Sequence, residues 1–221
     1  QSNGTVEVFG DNSLDQLDIP GNLTGVIAVA AGYFHNLALK KDDSVVAWGW
    51  NTNGQTIVPK DLENVIQVSG GGDFSLALIA DGTVVAWGNN FARQTEVPKG
   101  LTDVKEVSAG GSHALALKED GTVVAWGNDA EGQATVPIGL SDVVAVAAGK
   151  AHSLALKADS TIVSWGSNTR GQLEFPGEIN SPSKQNISAQ FNASSVVSIA
   201  AGFNHNLALD SDGNVIAWGD N

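Results

Sequence analysis

Short apolar runs separated by polar turns make up most of the chain, and they recur. In the first full copy, 26–31 is a run of small and β-branched residues, 37–39 reads Leu-Ala-Leu and 45–48 reads Val-Val-Ala-Trp. Runs this short, bounded by Gly and Asp, predict strands and not helices. The second and third runs are joined by Asp81-Gly82, Asp120-Gly121 and Asp212-Gly213, a dipeptide that favours a tight hairpin. Asp43-Ser44 and Asp159-Ser160 hold that place in the other copies. Each third run closes on Trp-Gly, at 48–49, 87–88, 126–127, 165–166 and 218–219, with Phe9-Gly10 as a degenerate copy. Glycines 10, 49, 88, 127 and 166 stand 39 residues apart, and the last step, to 219, is 53. A fixed period of this size defines a repeat architecture.

After each Trp-Gly comes a polar loop, then a Gln (16, 55, 94, 133, 172) and a short segment ending in Pro (20, 59, 98, 137, 176). Proline cannot donate to a ladder, so the segment predicts a fourth strand on the outer edge of its sheet. The small residues of the first run suit the most crowded place, where inner strands converge. The expected fold is all-β, a β-propeller of four-stranded antiparallel blades, preferred over a flat sandwich. About five 39-residue repeats plus an extra N-terminal strand pair (6–10 and 17–19) fill a single domain, 1–221. The count is uneven, leaving one third strand over: it packs as an extra strand, belongs to a longer array, or pairs with another molecule. The stretch 177–195, rich in Pro, Ser, Asn and Gln, reads as an inserted surface loop carrying the 14-residue excess of the last repeat.

These residues resemble the repeats of the regulator of chromosome condensation family, in the short bacterial-type form V-x-A-[IV]-A-x-G-x-x-H-[ST]-L-A-L-K-x-x-G-x-V-x-[AG]-W-G. The resemblance implies a propeller, commonly of seven blades in that family. Its members include a nucleotide-exchange factor for a nuclear GTPase and secreted β-lactamase inhibitors, so it implies no single function.

Composition narrows the partners. The net charge is −13, spread along the chain, which disfavours nucleic acid. No apolar run approaches the roughly 20 residues of a membrane-spanning helix. The chain has no Cys, so neither disulfides nor a thiol nucleophile is available. It has no Met and begins at Gln1, which suits a processed, mature chain. Four sequons, at Asn3, Asn22, Asn186 and Asn192, offer N-glycosylation.

All four histidines, His35, His113, His152 and His205, share one repeat position, where Phe74 stands in the remaining copy. Residues related by repeat symmetry lie on different blades, so packing and hydrogen bonding to neighbouring backbone explains them better than a shared metal. The run 210–214 matches the start of a calcium loop but coincides with the repeated hairpin turn. No Gly-rich phosphate loop or Ser-His-Asp set stands apart from the repeat. The expectation is a chain without catalytic residues, metal or cofactor, and not an enzyme.

Strand direction adds a surface. In an antiparallel blade the loop between strands one and two and the loop after strand three emerge on one face; the hairpin turn and the link to the next blade emerge on the other. The first face carries the variable residues, and would gather Tyr33, Phe34, Trp50, Phe91 and Phe203 with Arg93, Lys150 and Arg170 nearby. Exposed aromatics with Arg have the composition of an interface hot spot. The four sequons map to the opposite face. The function expected is therefore a secreted, N-glycosylated propeller that binds another protein or copies of itself, through the variable face or the unpaired terminal strands. An enzyme inhibitor of the β-lactamase-inhibitor type is the alternative. A lectin follows third, disfavoured because the loops differ from copy to copy.

Overall fold

In the computed structural model, which describes residues 4–21, 23–176, 188–192 and 196–220, each copy of the repeat folds as three antiparallel strands. The first sheet holds β1 (Val26–Ala31), β2 (His35–Lys40) and β3 (Val45–Gly49). The second holds β4 (Val65–Gly70), β5 (Phe74–Ile79) and β6 (Val84–Gly88), and the third β7 (Val104–Ala109), β8 (His113–Lys118) and β9 (Val123–Gly127). The fourth holds β10 (Val143–Ala148), β11 (His152–Lys157) and β12 (Thr161–Gly166), extended by β13 (Ser188–Asn192). The fifth holds β14 (Val196–Ala201), β15 (His205–Asp210) and β16 (Val215–Gly219). Strand order in each sheet follows the chain.

Both faces of every internal sheet are covered, because each sheet packs on the next. Leu37 and Leu39 of β2 meet Val65, Val68, Ala77 and Trp87 of the second sheet. Phe74, Leu76 and Leu78 meet Val104, Val107, Ala116 and Trp126, and the equivalent leucines, alanine and tryptophan meet at the next two junctions, with Ile199 in place of the second valine at the last. The core is thus four seams, one between each pair of neighbouring blades. A fully buried leucine contributes about 1.5–3 kcal/mol, so each seam carries several such contributions. Alanines 77, 116, 155 and 208, at 0–1% exposure, leave room for the leucines of the preceding blade.

Three expectations are corrected. First, the blades have three strands, and the Gln-to-Pro segment is a chain of turns. Its recurrent Gln explains why. The side-chain Oε1 of Gln55 accepts the backbone N–H of Asn53 at 3.0 Å, while Asn51 Oδ1 accepts that of Thr56 at 3.0 Å. Gly54 N and Ile57 N donate to Asn51 and Gly54 carbonyls. These local bonds satisfy the backbone without a ladder partner. The backbone carbonyl of each Gln instead accepts the indole N–H of the following blade's tryptophan, from Trp87 to Gln55 at 2.9 Å, for instance. The other four pairs, Trp48–Gln16, Trp126–Gln94, Trp165–Gln133 and Trp218–Gln172, fall within 2.9–3.1 Å.

Second, the expected N-terminal strand pair lies outside the five sheets. Val26 N donates to the Gly4 carbonyl at 3.2 Å, as Val104 N does to Gly82 and Val143 N to Gly121. Residues 4–9 therefore stand against the first blade as the third strand of each blade stands against the next. Third, the stretch expected as an inserted surface loop contributes β13, whose register sets Asn192 opposite Thr161 and Ser188 opposite Trp165. That strand covers the outer edge of β12.

Among the described residues the sheets do not close into a ring. On the fifth blade Leu207 and Leu209 are each 38% exposed and Val215 64%, whereas Leu76, Leu78, Leu115 and Leu154 are at 0%.

Candidate protein-binding face

Each first strand turns into the second through a three-residue loop, and that loop is tied to the one after strand three. Trp50 N donates to the Phe34 carbonyl at 2.8 Å, Asn89 N to Asp73, Asn128 N to Ser112, Ser167 N to Ala151 and Asp220 N to Asn204. Both sets of variable loops therefore emerge on one end of the blades.

The inner loops converge on an axis. Tyr33 N donates to Gly71 O, Gly72 N to Gly110 O, Gly111 N to Gly149 O and Lys150 N to Phe203 O, each at 3.1 Å. Glycine is needed where these loops touch: a Cβ on Gly72 would stand 2.4 Å from the Gly111 carbonyl oxygen, and one on Gly111 2.5 Å from that of Lys150. The Tyr33 side chain uses the space so left, its Oη lying 2.7 Å from where a Gly111 Cβ would be. Reaching inward from the first blade, its ring meets Phe203 of the fifth, centroids 5.2 Å apart. The Lys150 ammonium sits over the Phe203 ring, 4.3 Å from its centroid. Together they cover a pocket of about 220 Å³ lined by alanines and glycines of all five inner strands.

Burial, with the nearby Asp73 carboxylate adding to it, pushes the Tyr33 hydroxyl up to about 12. Burial likewise raises the Asp73 carboxyl above the usual carboxylate range. At neutral pH Tyr33 therefore presents a phenol, beside the Phe203 ring and the Lys150 side chain. Such a surface binds by contact area, hydrogen bonding and cation–π attraction.

Of the eight residues expected on this face, Tyr33, Lys150 and Phe203 come together at the axis. Phe34, 40% exposed, and half-buried Trp50 sit beside them on the first blade. Phe91 stands out alone at 94% exposure, two residues before exposed Arg93, whose backbone is left-handed with φ 62°. Exposed Arg170 lies 3.9 Å from Asp220, a contact worth little in water. Phe91, Arg93 and Arg170 lie on the loops after β6 and β12, outside the Tyr33–Phe203–Lys150 ring contacts. Among the sequons, Asn3, Asn22 and Asn186 lie outside the described residues, and Asn192 ends β13 at the hairpin-turn end of its blade.

Three of the four histidines belong to the seams, and His205 stands exposed on the fifth blade. His35 Nε2 pairs with Ser75 Oγ of the next blade at 3.0 Å, His113 with Ser153 Oγ at 2.9 Å and His152 with Asn206 Oδ1 at 2.6 Å. The partner is a side chain on the facing strand, where the sequence suggested backbone. Burial holds the His35 imidazole down at about 4 and that of His113 at about 3, and lowers His152 too. Asp73, Ser75, Ser153 and Asn206 were not singled out from sequence. One signal was available: where Phe74 replaces His, the facing residue is Ala114.

Five short sheets repeating about an axis, with seams of leucine, valine and tryptophan and variable loops at one end, define a propeller-type repeat protein. Residues 26–55, 65–94, 104–133, 143–172 and 196–221 match the model of the regulator of chromosome condensation (RCC1) repeat, and the chain belongs to that family. No curated protein sequence matches it. Among solved structures, human WBSCR16 is similar at 24% identity and TM-score 0.73, over 88% of this chain and 61% of that one. Prp20p from Saccharomyces cerevisiae, described with its binding to Gsp1p and histones, is similar at 26% and 0.72, over 88% of this chain and 57% of its own. The receptor kinase CR4 ectodomain from Physcomitrella patens aligns at 23% and 0.73, over 96% of this chain and 55% of its own. The chain thus spans less than two thirds of each.

Proposed function

We propose that this protein is a secreted, N-glycosylated, non-enzymatic propeller module that binds another protein, or copies of itself, through the loop face or the terminal strands. The observation that carries this reading is the Tyr33–Phe203–Lys150 patch, held in place by inter-blade backbone bonds yet open to solvent. Preorganised aromatic surface binds at low entropic cost. The binding of Prp20p to Gsp1p and histones supports a protein as the partner class. The four sequons and the absence of Cys suit an exported chain that needs no disulfides.

The test places a photo-crosslinking amino acid at Phe91 or Phe203 in material from the native source, with a control at exposed Asp81 on the hairpin-turn end. Adducts to one protein species from the loop-face positions, and none from Asp81, are expected. Adducts formed equally from both ends would sink the reading. Intact-mass measurement of the same material reports whether the sequons carry glycans, and unmodified chain would remove the glycoprotein part.

A further inference from the structure

The residue after each Trp-Gly closes the turn that follows it. Asn89 Oδ1 accepts the backbone N–H of Phe91 at 2.9 Å and Nε2 of Gln94 at 3.1 Å. Asp11 receives Ser13 N and Gln16 Nε2 in the same way, and Asn128 Oδ1 accepts Ala130 N. Ser167 and Asp220 hold this place in the last two copies. The first blade breaks the set with Trp50, whose indole offers no acceptor. Gln55, at 0% exposure, is left with an Nε2 that has no hydrogen-bond partner among the described residues, although its Oε1 still holds Asn53 N. A buried donor without a partner is costly. Tryptophan at 50 therefore works against its own turn, and a residue that breaks a local rule in this way marks a functional position.

Trp50 also differs from the other five tryptophans. Those are 0–8% exposed, and each bonds its indole N–H to a Gln carbonyl. Trp50 is half-buried on the loop face. The β2–β3 register pairs His35 with Gly49, so Phe34 and Trp50 stand opposite each other one step further on, tied by Trp50 N to Phe34 O at 2.8 Å. No other blade has an aromatic residue at either place.

The surroundings of the pair select a cation. Asp73 stands on the next blade at the place of Phe34, near enough to Tyr33 to act on its hydroxyl. The loop 11–18, whose Gln16 backbone lies against Gly49, carries exposed Asp11, Asp15 and Asp18. The whole chain has a net charge of −13. Lys150 over Phe203 already sets a cation on an aromatic ring of this face, and among the described residues no Lys or Arg lies over Phe34 or Trp50.

We infer that Phe34 and Trp50 anchor the protein-binding face by seating an arginine side chain of the partner. The planar guanidinium stacks on an aromatic face better than an ammonium does, and the aspartates complement its charge. Every residue of the site lies between Asp11 and Asp73, and neither chain end forms part of it. The inference rests on the loop-face reading proposed above and adds to it the anchor and the chemistry it receives.

Two substitutions copy what other blades carry: Trp50→Asn restores the acceptor seen at Asn89, and Phe34→Ala repeats Ala151. Neither changes the charge, so general attraction to an acidic chain stays as it was. Fluorescein-labelled octaarginine is titrated with the full chain in about 0.15 M salt and followed by anisotropy. Saturable binding at about 100 µM is expected, roughly fivefold weaker for both variants and for labelled octalysine, and unchanged for Asp81→Asn on the hairpin-turn end. Urea unfolding should place the midpoint of Trp50→Asn roughly 0.5 M above the parent, and that of Trp50→Phe no higher than the parent. Equal octaarginine binding by the parent and Trp50→Asn overturns the inference, as does no binding at about 1 mM peptide. A Trp50→Asn midpoint at or below the parent also overturns it, because the indole would then be serving its own turn. Octalysine bound as well as octaarginine removes the arginine assignment. Loop-face adducts in the crosslinking test above, with no effect of Trp50→Asn here, sink this inference alone. A Trp50-dependent arginine site without such adducts sinks the loop-face reading alone.

Discussion

Acid should open the seams, and the chain supplies its own control. His35 is 1% exposed and His113 and His152 are at 0%, each a neutral imidazole bonded across a seam. In the unfolded chain an imidazole titrates near 6.5; in the folded chain burial lowers His35 to about 4. Between those values the unfolded state binds the proton and the folded state does not. The stability contributed by the neutral imidazole is therefore intact above pH 6.5 and drains away as pH falls toward 4. For His35 that difference corresponds to about 3 kcal/mol. His113, lowered further, and His152 act in the same direction.

The second seam places Phe74 against Ala114 and has no imidazole to protonate. The double substitution His35→Phe with Ser75→Ala copies that seam into the first. Urea unfolding, followed by tryptophan fluorescence at about pH 7.5 and about pH 4.5, compares it with the parent. The parent should lose about 2.5 kcal/mol more than the double variant over this interval. Burial-raised carboxyls such as Asp73 and Glu106 respond in the opposite direction, but both proteins share them. Parallel losses in the two proteins would refute the idea that seam histidines set the acid limit.

Other substitutions separate the parts of the repeat. Leu154→Asp, at a fully buried position, should cost more than about 4 kcal/mol in urea unfolding, whereas Leu207→Asp on the open fifth blade should cost under about 1. Trp126→Phe should destabilise more than Trp87→Phe by roughly 1 kcal/mol: the Gln55 carbonyl keeps the Ser75 hydroxyl at 2.9 Å as a second donor, and Ala114 offers Gln94 none. Gly72→Ala should cost about 1–3 kcal/mol and alter near-ultraviolet dichroism from Tyr33, because its methyl would meet the Gly111 carbonyl.

The strands and their order were legible because period and turn chemistry agreed: Asp-Gly hairpins and Trp-Gly termini recur in phase. The missing fourth strand was not legible. Gln and Pro in an apolar-polar segment fit an edge strand as well as a turn, and only the Gln side chain folding back onto the N–H two residues earlier decides it. β13 was hidden because Ser188–Asn192 carries turn-forming residues; it pairs because β12 offers an edge. The central patch was half legible. Strand direction put Tyr33 and Phe203 on one face, but they sit 170 positions apart, on the first and last blades, and sequence holds no measure of how far five blades curve.

Nearest-neighbour stacking explains why the ends matter most. In a repeat array each unit is held by its seams, and the outermost units normally present polar faces to water. On the fifth blade Leu207, Leu209 and Val215 face outward with His205, at the repeat positions that fill the internal seams. The other end differs, because residues 4–9 supply Val6 and Val8 and shield part of the first blade. Deleting residues 4–9 should therefore raise the exposure of Trp48 and loosen β1–β3 ahead of the other sheets. Hydrogen exchange would show it as faster exchange at Leu37 and Leu39 than at Leu76 and Leu78. Equal protection at the two pairs would mean that the first blade stands on the Leu37–Val65 seam alone.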